Sequence, residues 1–153
     1  MATDIRDTDP ADPRALAAMR AYFAELDAVF PGGFDPAPLT GASLADMRPP
    51  HGAFLLACDG AQTFACVGLR REDGTTGEVK RLWVSPAARG QGLAPRMMAA
   101  LTDRARKRGM TRLILDTSAH LPGAVALYHR LGWTEIARYN DNPYAHHFFE
   151  MRL

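Results

Sequence analysis

The sequence has 153 residues, of which 47% are hydrophobic and 23% are charged. This length fits one domain that can bury a core without disulfides or metals, so we expect a single domain over residues 1–153. No apolar run reaches the roughly 20 residues of a membrane helix. The N-terminus also lacks the basic and apolar regions of a secretory signal. Composition therefore predicts a cytoplasmic protein with no membrane partner.

The formal net charge of +1 conceals a difference between the two halves of the chain. Residues 1–77 carry six Lys or Arg and eleven Asp or Glu, a net charge of −5, whereas residues 78–153 carry twelve and six, a net charge of +6. The basic residues are spread over several predicted elements, which argues against a nucleic-acid partner. A compact polyphosphate ligand would suit the second half, although a solvated helix face gives the same count.

The cysteines and histidines offer no metal-ligand spacing. Cys58 and Cys66 fall on the two arms of a hairpin that turns near Asp59-Gly60, too far apart along the ladder for a disulfide. We therefore expect both to be reduced and buried. His146 and His147 are adjacent and would point to opposite faces of a strand. No metal site is predicted.

The first half of the chain is predicted to form one helix and three strands. The helix begins at Asp12-Pro13 and runs to about Phe30, since apolar residues recur at three- and four-residue steps. A long connection, Phe34–Gly52, follows and contains one candidate helical turn at Leu44–Arg48. The three strands are predicted at Ala53–Cys58, Thr63–Arg71 and Glu78–Val84.

The second half alternates helices and strands. Two glycines, Gly109 and Gly132, are placed to end its two helices in the left-handed conformation. This order predicts a mixed sheet with helices packed on it. The elements are predicted at Gly92–Arg108 (helix), Arg112–Thr117 (strand), Pro122–Leu131 (helix), Trp133–Tyr139 (strand) and His147–Arg152 (strand), with a turn at Asn140–Tyr144.

One segment, Leu82–Ala94, carries a recognisable arrangement for anion binding. A strand ends, a loop with two glycines follows, and a helix begins at once. Loop glycines allow close approach of a ligand to the backbone, and the free amides at a helix N-terminus attract anions. A tight strand-to-helix turn without a ligand would look the same.

The same segment resembles a known family. Arg89-Gly90-Gln91-Gly92-Leu93-Ala94 matches the Arg/Gln-x-x-Gly-x-Gly/Ala motif of the GNAT superfamily of N-acetyltransferases. The upstream strand Glu78–Pro86 and the downstream Ala124–Trp133 segment are similar to that family as well. The resemblance implies an α/β (α+β) fold with a mixed, mostly antiparallel central sheet flanked by helices. It also implies a splayed strand pair that forms an acyl-CoA cleft.

The resemblance further implies that acetyl-CoA is the co-substrate. Two departures from the family pattern bear on its binding: Leu121 stands where many members have an Asn that contacts pantetheine, and Pro95 removes one amide of the first helical turn. Pantetheine would run beside Leu82, Trp83 and Val84, with hydrogen bonds to the backbone of Leu82 and Val84. The pyrophosphate would be held by backbone amides of Arg89, Gly90, Gln91, Gly92, Leu93 and Ala94.

Two residues are predicted to act in catalysis. An alkyl ammonium must lose a proton before it attacks a thioester, and Glu78 is the candidate base because regular alternation would put it on the same face as Leu82 and Val84. Pairing with a nearby Lys or Arg is the alternative. The resemblance implies that Tyr128 stands near the sulfur and protonates the leaving thiolate, whereas its helical spacing alone would equally fit a core aromatic.

The acceptor site is predicted from the first helix and the last hairpin. Tyr22 and Glu25 share a helix face and would attract a cationic amine, while Tyr139, Asn142 and Tyr144 would close over it. The alternative is a solvated carboxylate and tyrosines that cap the core.

The resulting hypothesis is direct transfer of an acetyl group from acetyl-CoA to a primary amine of a small molecule, through a ternary complex. A protein or peptide amine as acceptor, or a non-catalytic acyl-CoA-binding module, remain the alternatives. A homodimer would be the commonest kind of assembly, but the sequence does not specify the oligomeric state.

Overall fold

The computed structural model describes residues 3–35 and 41–153 of the chain. In these ranges a central sheet is flanked by helices on both faces. The strands are β1 (Asp4–Asp7), β2 (Ala53–Asp59), β3 (Gln62–Arg71), β4 (Thr76–Val84), β5 (Arg112–Thr117), β6 (Thr134–Ile136) and β7 (His147–Arg152); the helices are α1 (Pro13–Val29), α2 (Gly41–Ala45), α3 (Leu93–Lys107) and α4 (Pro122–Arg130), with one 3-10 turn at Pro86–Ala88.

The ends of the long helices follow from local sequence. The Asp12 side chain accepts a hydrogen bond from the Arg14 amide at 2.9 Å and caps the N-terminus of α1. Gly109 and Gly132 have φ angles of +78° and +85°, so both adopt the left-handed conformation expected where α3 and α4 end. The predicted spans of these helices agree with the structure to within one or two residues.

Three local features differ from the predicted elements. The edge strand β1 was not anticipated, because four mostly polar residues carry no pattern until they pair with β2. The helical turn expected at Leu44–Arg48 is present, with hydrogen bonds from the Met47 amide to Leu44 and from the Arg48 amide to Ala45, but it continues an unpredicted helix, α2. β6 ends at Ile136 instead of Tyr139, since the Arg138 guanidinium turns to bond the carbonyls of Asn140, Asn142 and Ala145.

The sheet order is β1-β2-β3-β4-β5-β7-β6, and only the β4–β5 pair is parallel among the strands of the described residues. This confirms the mixed, mostly antiparallel sheet. One face packs on α3 and α4, with Met97, Leu101 and Phe149 at its centre. The other packs on α1, with Met19 and Phe54 buried there.

The parallel pair β4–β5 is short and opens along its length. It joins only Thr76 to Arg112, Gly77 to Leu113 and Glu78 to Ile114. Beyond this point β4 stays paired with β3 up to Val84, and β5 stays paired with β7 up to Thr117. The two strands therefore splay apart, as the resemblance implied.

A bulge in β4 lies at the start of the splayed part. Gly68 pairs with Lys80 and Cys66 with Trp83, so one residue of β3 faces two of β4. Arg81 sits in this bulge with a φ of +59°, and its carbonyl accepts a contact from the Cys66 thiol at 3.3 Å. The extra residue reverses the alternation of side chains along the rest of β4.

Both cysteines are buried and unbridged, as expected. Cys58 pairs with Thr63 and Cys66 with Leu56, so the two thiols lie at different levels of the hairpin. Burial raises the pKa of the Cys66 thiol to about 12, which keeps it protonated and unreactive at neutral pH.

No helix in the described ranges combines the length and apolarity required to cross a bilayer. Over the same residues, His, Cys, Asp and Glu side chains form no group of three that could hold a metal ion.

We predict that Gly52→Ala destabilises the protein, because an added Cβ would press on the carbonyl oxygens of Asp46 and Leu69 and lie 2.9 Å from the Met47 Cα. These are backbone atoms that cannot move aside easily, so the free energy of unfolding should fall by about 1–3 kcal/mol. Urea unfolding measures the change. Gly74→Ala is the matched control, since its Cβ meets nothing within 4 Å; equal stabilities of the two variants would contradict the prediction.

Candidate functional site

A cleft of about 720 Å³ passes through the splay between β4 and β5. The N-terminal turn of α3 and one side of α4 line it on one sheet face, and α1 lines it on the other. Predicted site residues in its wall are Tyr22, Glu25, Leu82, Trp83, Val84, Arg89, Gly90, Gly92, Leu93, Ala94 and Tyr128.

A second cavity of about 350 Å³ adjoins the cleft on the α1 face of the sheet. The two share wall residues, among them Tyr22, Arg81 and Asp116, so they lie side by side. The second cavity is further lined by rings from α1 and by the loop that precedes β7, with Asn142 and Tyr144 in its wall.

The loop between β4 and α3 has the geometry of an anion site. Gly90 and Gly92 have φ angles of +77° and +76°, and a Cβ at either position would meet nothing within 4 Å, so the loop faces open space. The amides of the first turn of α3 lack helical partners and carry the positive end of the helix dipole. Gln91 lies outside the cleft wall, with its side-chain amide directed to the Ala87 carbonyl.

The backbone of β4 beside the cleft is available for hydrogen bonding. Residues 79–84 have no partner on β5, and all but the bulged Arg81 and Leu82 pair with β3 on the other side. Leu82, Trp83 and Val84 all line the opening. The Val84 carbonyl also accepts a hydrogen bond from Arg89 Nε at 3.0 Å, which ties the loop to the end of the strand.

Glu25 does not stand free in the acceptor region, contrary to expectation. Its two carboxylate oxygens accept hydrogen bonds from one terminal nitrogen of Arg89, at 2.5 and 2.7 Å, and Oε2 also accepts from the Trp83 indole at 3.0 Å. Glu25 lines the cleft as predicted, but its ion pair with Arg89 argues against a role in binding a cationic amine. Glu25 instead ties α1 to the glycine loop.

Glu78 lies away from the cleft wall, and the reason is the bulge. Regular alternation would have put it on the face of Leu82 and Val84, but the extra residue at Arg81 places those two on the face of Val79, opposite Glu78. The shared-face expectation was wrong. Glu78 is only 3% exposed and lines neither cavity.

The Glu78 carboxylate has three partners. Arg70 Nε lies 3.2 Å and Lys80 Nζ 3.5 Å from Oε1, while the Tyr139 hydroxyl donates to Oε2 at 2.6 Å. Tyr139 is thus held in this network and lines neither cavity, so its expected place over the substrate is corrected. Burial and the neighbouring charge of Glu78 raise the pKa of Tyr139.

Tyr128 is buried on α4, and the cleft reaches it. Its ring packs against Trp133 and Phe149, with centroids at 5.8 and 5.6 Å. Within residues 3–35 and 41–153 its hydroxyl forms no hydrogen bond, which leaves it open to a ligand. Burial, followed by the nearby Tyr22 and Asp116, raises the pKa of Tyr128, so the hydroxyl keeps its proton at neutral pH.

Asp116 is a cavity-lining carboxylate that the sequence analysis did not single out. It follows the apolar run of β5 on the splayed part of the strand and lines both cavities. Its Oδ2 accepts hydrogen bonds from the side-chain amides of Asn140 at 2.6 Å and Asn142 at 3.4 Å. In the sequence, Asp116 is a carboxylate at the end of an apolar strand. This position indicates a cavity only when the divergence of β4 from β5 is known.

Sequence comparison places the site in a family context. Residues 18–133 match the model of the acetyltransferase (GNAT) family. An IAA acetyltransferase of Azospirillum brasilense is 31% identical over 93 residues, 60% of this chain and 61% of that protein. A glucosamine 6-phosphate N-acetyltransferase 1 of Oryza sativa subsp. japonica is 32% identical over 131 residues, 86% of this chain and 71% of that protein. The chain thus spans about three fifths of the first of these relatives.

Structural comparison supports the same fold. The PaiA N-acetyltransferase of Thermoplasma acidophilum, solved in complex with coenzyme A, superposes over 100% of both chains with a TM-score of 0.79 at 12% identity. At this identity the likeness concerns the fold alone. With the family model covering most of the sequence and the β4–β5 splay in place, the chain belongs to the acetyltransferase (GNAT) family.

Proposed function

We propose that this chain transfers an acetyl group from acetyl-CoA directly to a primary amine of a small molecule, in a ternary complex. The observation that carries the proposal is the cleft through the β4–β5 splay, which has the glycine loop at one part of its wall and the Tyr128 hydroxyl at another. A donor and an acceptor can therefore approach one reaction point from opposite faces of the sheet.

The donor side of the cleft suits a coenzyme A thioester. Pyrophosphate would lie on the loop that contains Gly90 and Gly92, where backbone amides and the α3 dipole favour an anion. Arg130 also lines the cleft and adds positive charge. Pantetheine would follow the unpaired edge of residues 79–84, in place of the missing β5 partner.

The reaction needs one proton removed and one supplied. The amine loses a proton to water or to a carboxylate, its nitrogen forms a bond to the thioester carbon, and the carbon–sulfur bond breaks. Tyr128 would give its proton to the leaving thiolate, since its hydroxyl is protonated and unbonded within the described chain. Glu78 lines neither cavity and is bound by Arg70, so we do not assign direct removal of the amine proton to it.

The size of the second cavity favours a small acceptor over a peptide. At about 350 Å³ it suits a compact molecule more than an extended chain. The name of the rice relative, of which this chain covers 71%, also specifies a small amine. A non-catalytic acyl-CoA-binding module would need the loop but would not need Tyr128, so the variants below distinguish it.

We predict that acetyl-CoA raises the melting temperature of the wild type and that Gly92→Val abolishes this rise, because a branched side chain would stand where pyrophosphate approaches. Differential scanning fluorimetry measures the shift of each variant against its own unliganded form. Gly109→Val is the matched control: its φ of +78° imposes similar backbone strain, and its surroundings are equally open. A full ligand-induced shift in folded Gly92→Val would exclude the loop from coenzyme binding.

For Tyr128→Phe, we expect kcat to fall by about 10²–10⁴, the usual value of one general acid. The phenyl ring preserves the packing on Trp133 and Phe149, so affinity for acetyl-CoA should stay near the wild-type value. Steady-state kinetics and calorimetric titration report the two quantities. Wild-type turnover in this variant would leave Tyr128 as a core aromatic.

For Glu25→Gln, we expect weaker binding of acetyl-CoA and an unchanged KM for the amine, because the lost charge loosens Arg89 and the loop. A charge-assisted bond at a partly exposed site is worth about 1 kcal/mol, or roughly a fivefold rise in Kd. Isothermal titration calorimetry with acetyl-CoA measures the Kd. Glu135→Gln, which breaks an exposed contact with His129 and His147, is the control. A raised KM for the amine with an unchanged Kd for acetyl-CoA would contradict this prediction and indicate that Glu25 binds the amine.

A further inference from the structure

We infer that the second cavity binds the acceptor as a primary ammonium with an apolar, ring-sized body, and that Asp116 holds the ammonium group. This inference rests on the proposed acetyl transfer and specifies the substrate class of the same site.

Asp116 forms no ion pair among the described residues, although Arg81 lines the same two cavities. Its carboxylate accepts hydrogen bonds only from the neutral amides of Asn140 and Asn142, and no Lys, Arg or His of the described residues lies within ion-pair distance. Glu25 and Glu78 both have cationic partners. Asp116 is half-buried, so a bound cation would be screened less than at the open surface.

The position of Asp116 links the acceptor to the reaction point. It lies in the wall of both cavities, and its charge contributes to the raised pKa of Tyr128, after burial and Tyr22. The field of Asp116 therefore reaches the hydroxyl proposed to protonate the thiolate. An ammonium bound at Asp116 would have its nitrogen at the junction where donor and acceptor meet.

The rest of the second cavity is a wall of aromatic rings. Phe23, Phe30 and Phe34 come from α1 and the turn that follows it, and Tyr144 comes from the loop before β7. Phe34 lies 5.3 Å from Phe23 and 4.9 Å from Tyr144 between ring centroids, and Phe30 lies 5.4 Å from Tyr144. Such a surface favours an apolar body and attracts cations over the ring faces.

The cationic side chains of this cavity are engaged elsewhere. Lys80 pairs with Glu78, and the Arg81 guanidinium donates to Ser43 Oγ at 2.7 Å and lies over the Phe23 ring at 5.5 Å. An acceptor that carries a phosphate would have to draw them from these partners. The arrangement therefore favours an amine without an anionic group.

The first experiment isolates the ammonium contact. Wild type and Asp116→Asn are compared at neutral pH with 2-phenylethylamine, which is protonated, and with O-benzylhydroxylamine, whose nitrogen is uncharged. We expect the KM for 2-phenylethylamine to rise about tenfold or more in Asp116→Asn, the value of a hydrogen bond to a charged group. The KM for O-benzylhydroxylamine and for acetyl-CoA should change by less than about threefold. Asp103→Asn, at an exposed ion pair on α3, is the control.

The second experiment tests the body of the acceptor. We expect wild type to show a higher kcat/KM for 2-phenylethylamine than for propylamine or glucosamine 6-phosphate. Phe34→Ala should reduce the preference for 2-phenylethylamine over propylamine. Preference for glucosamine 6-phosphate, or equal losses for charged and uncharged nitrogen in Asp116→Asn, would overturn the inference while the acetyl transfer stands. Failure to acetylate any amine, with acetyl-CoA bound, would overturn both.

Discussion

The parallel ladder between β4 and β5 consists of three residue pairs, and the functional geometry depends on its early end. A sheet that continued to pair would bury the backbone groups of residues 79–84 in hydrogen bonds and would close the cleft. The divergence is maintained because each strand keeps its outer neighbour, β3 on one side and β7 on the other. The bulge at Arg81 increases the local twist of β4 at the same place. One irregularity in a strand thus coincides with the start of the cleft.

The same bulge explains why the sequence predicted the place of the glycine loop better than the place of Glu78. The glycine loop, the helix after it and Tyr128 are local patterns, and each lies at the cleft as expected. The face on which Glu78 lies depends on an extra residue in β4, which nothing in the alternation of side chains reveals. Asp116 was not predicted for a related reason, since its exposure to the cavities depends on the divergence of β4 from β5.

The first helix, α1, lines both cavities and contacts the glycine loop, which the apolar periodicity of its sequence could not predict. Its apolar face was predicted and is buried, but the polar contacts of Glu25 cross to the glycine loop. Those contacts join residues 58 and 64 positions apart in the chain. Tyr22, one turn earlier, stands in the walls of both cavities. The glycine loop and the walls of both cavities therefore share α1 as a packing partner, and a shift of α1 would displace both.

The two outermost strands of the sheet bear on how copies of the chain behave together. β1 has four residues, three of them charged, and β6 has three. Short, charged edges are poor templates for the backbone of another chain, so they discourage edge-to-edge pairing and the aggregation that follows from it. The apolar run of β5 is shielded between two neighbours except where it splays, and that opening faces a cavity rather than a free edge. The sheet is thus open at its centre, between β4 and β5, whereas its edge strands β1 and β6 are too short and polar to pair readily with another strand.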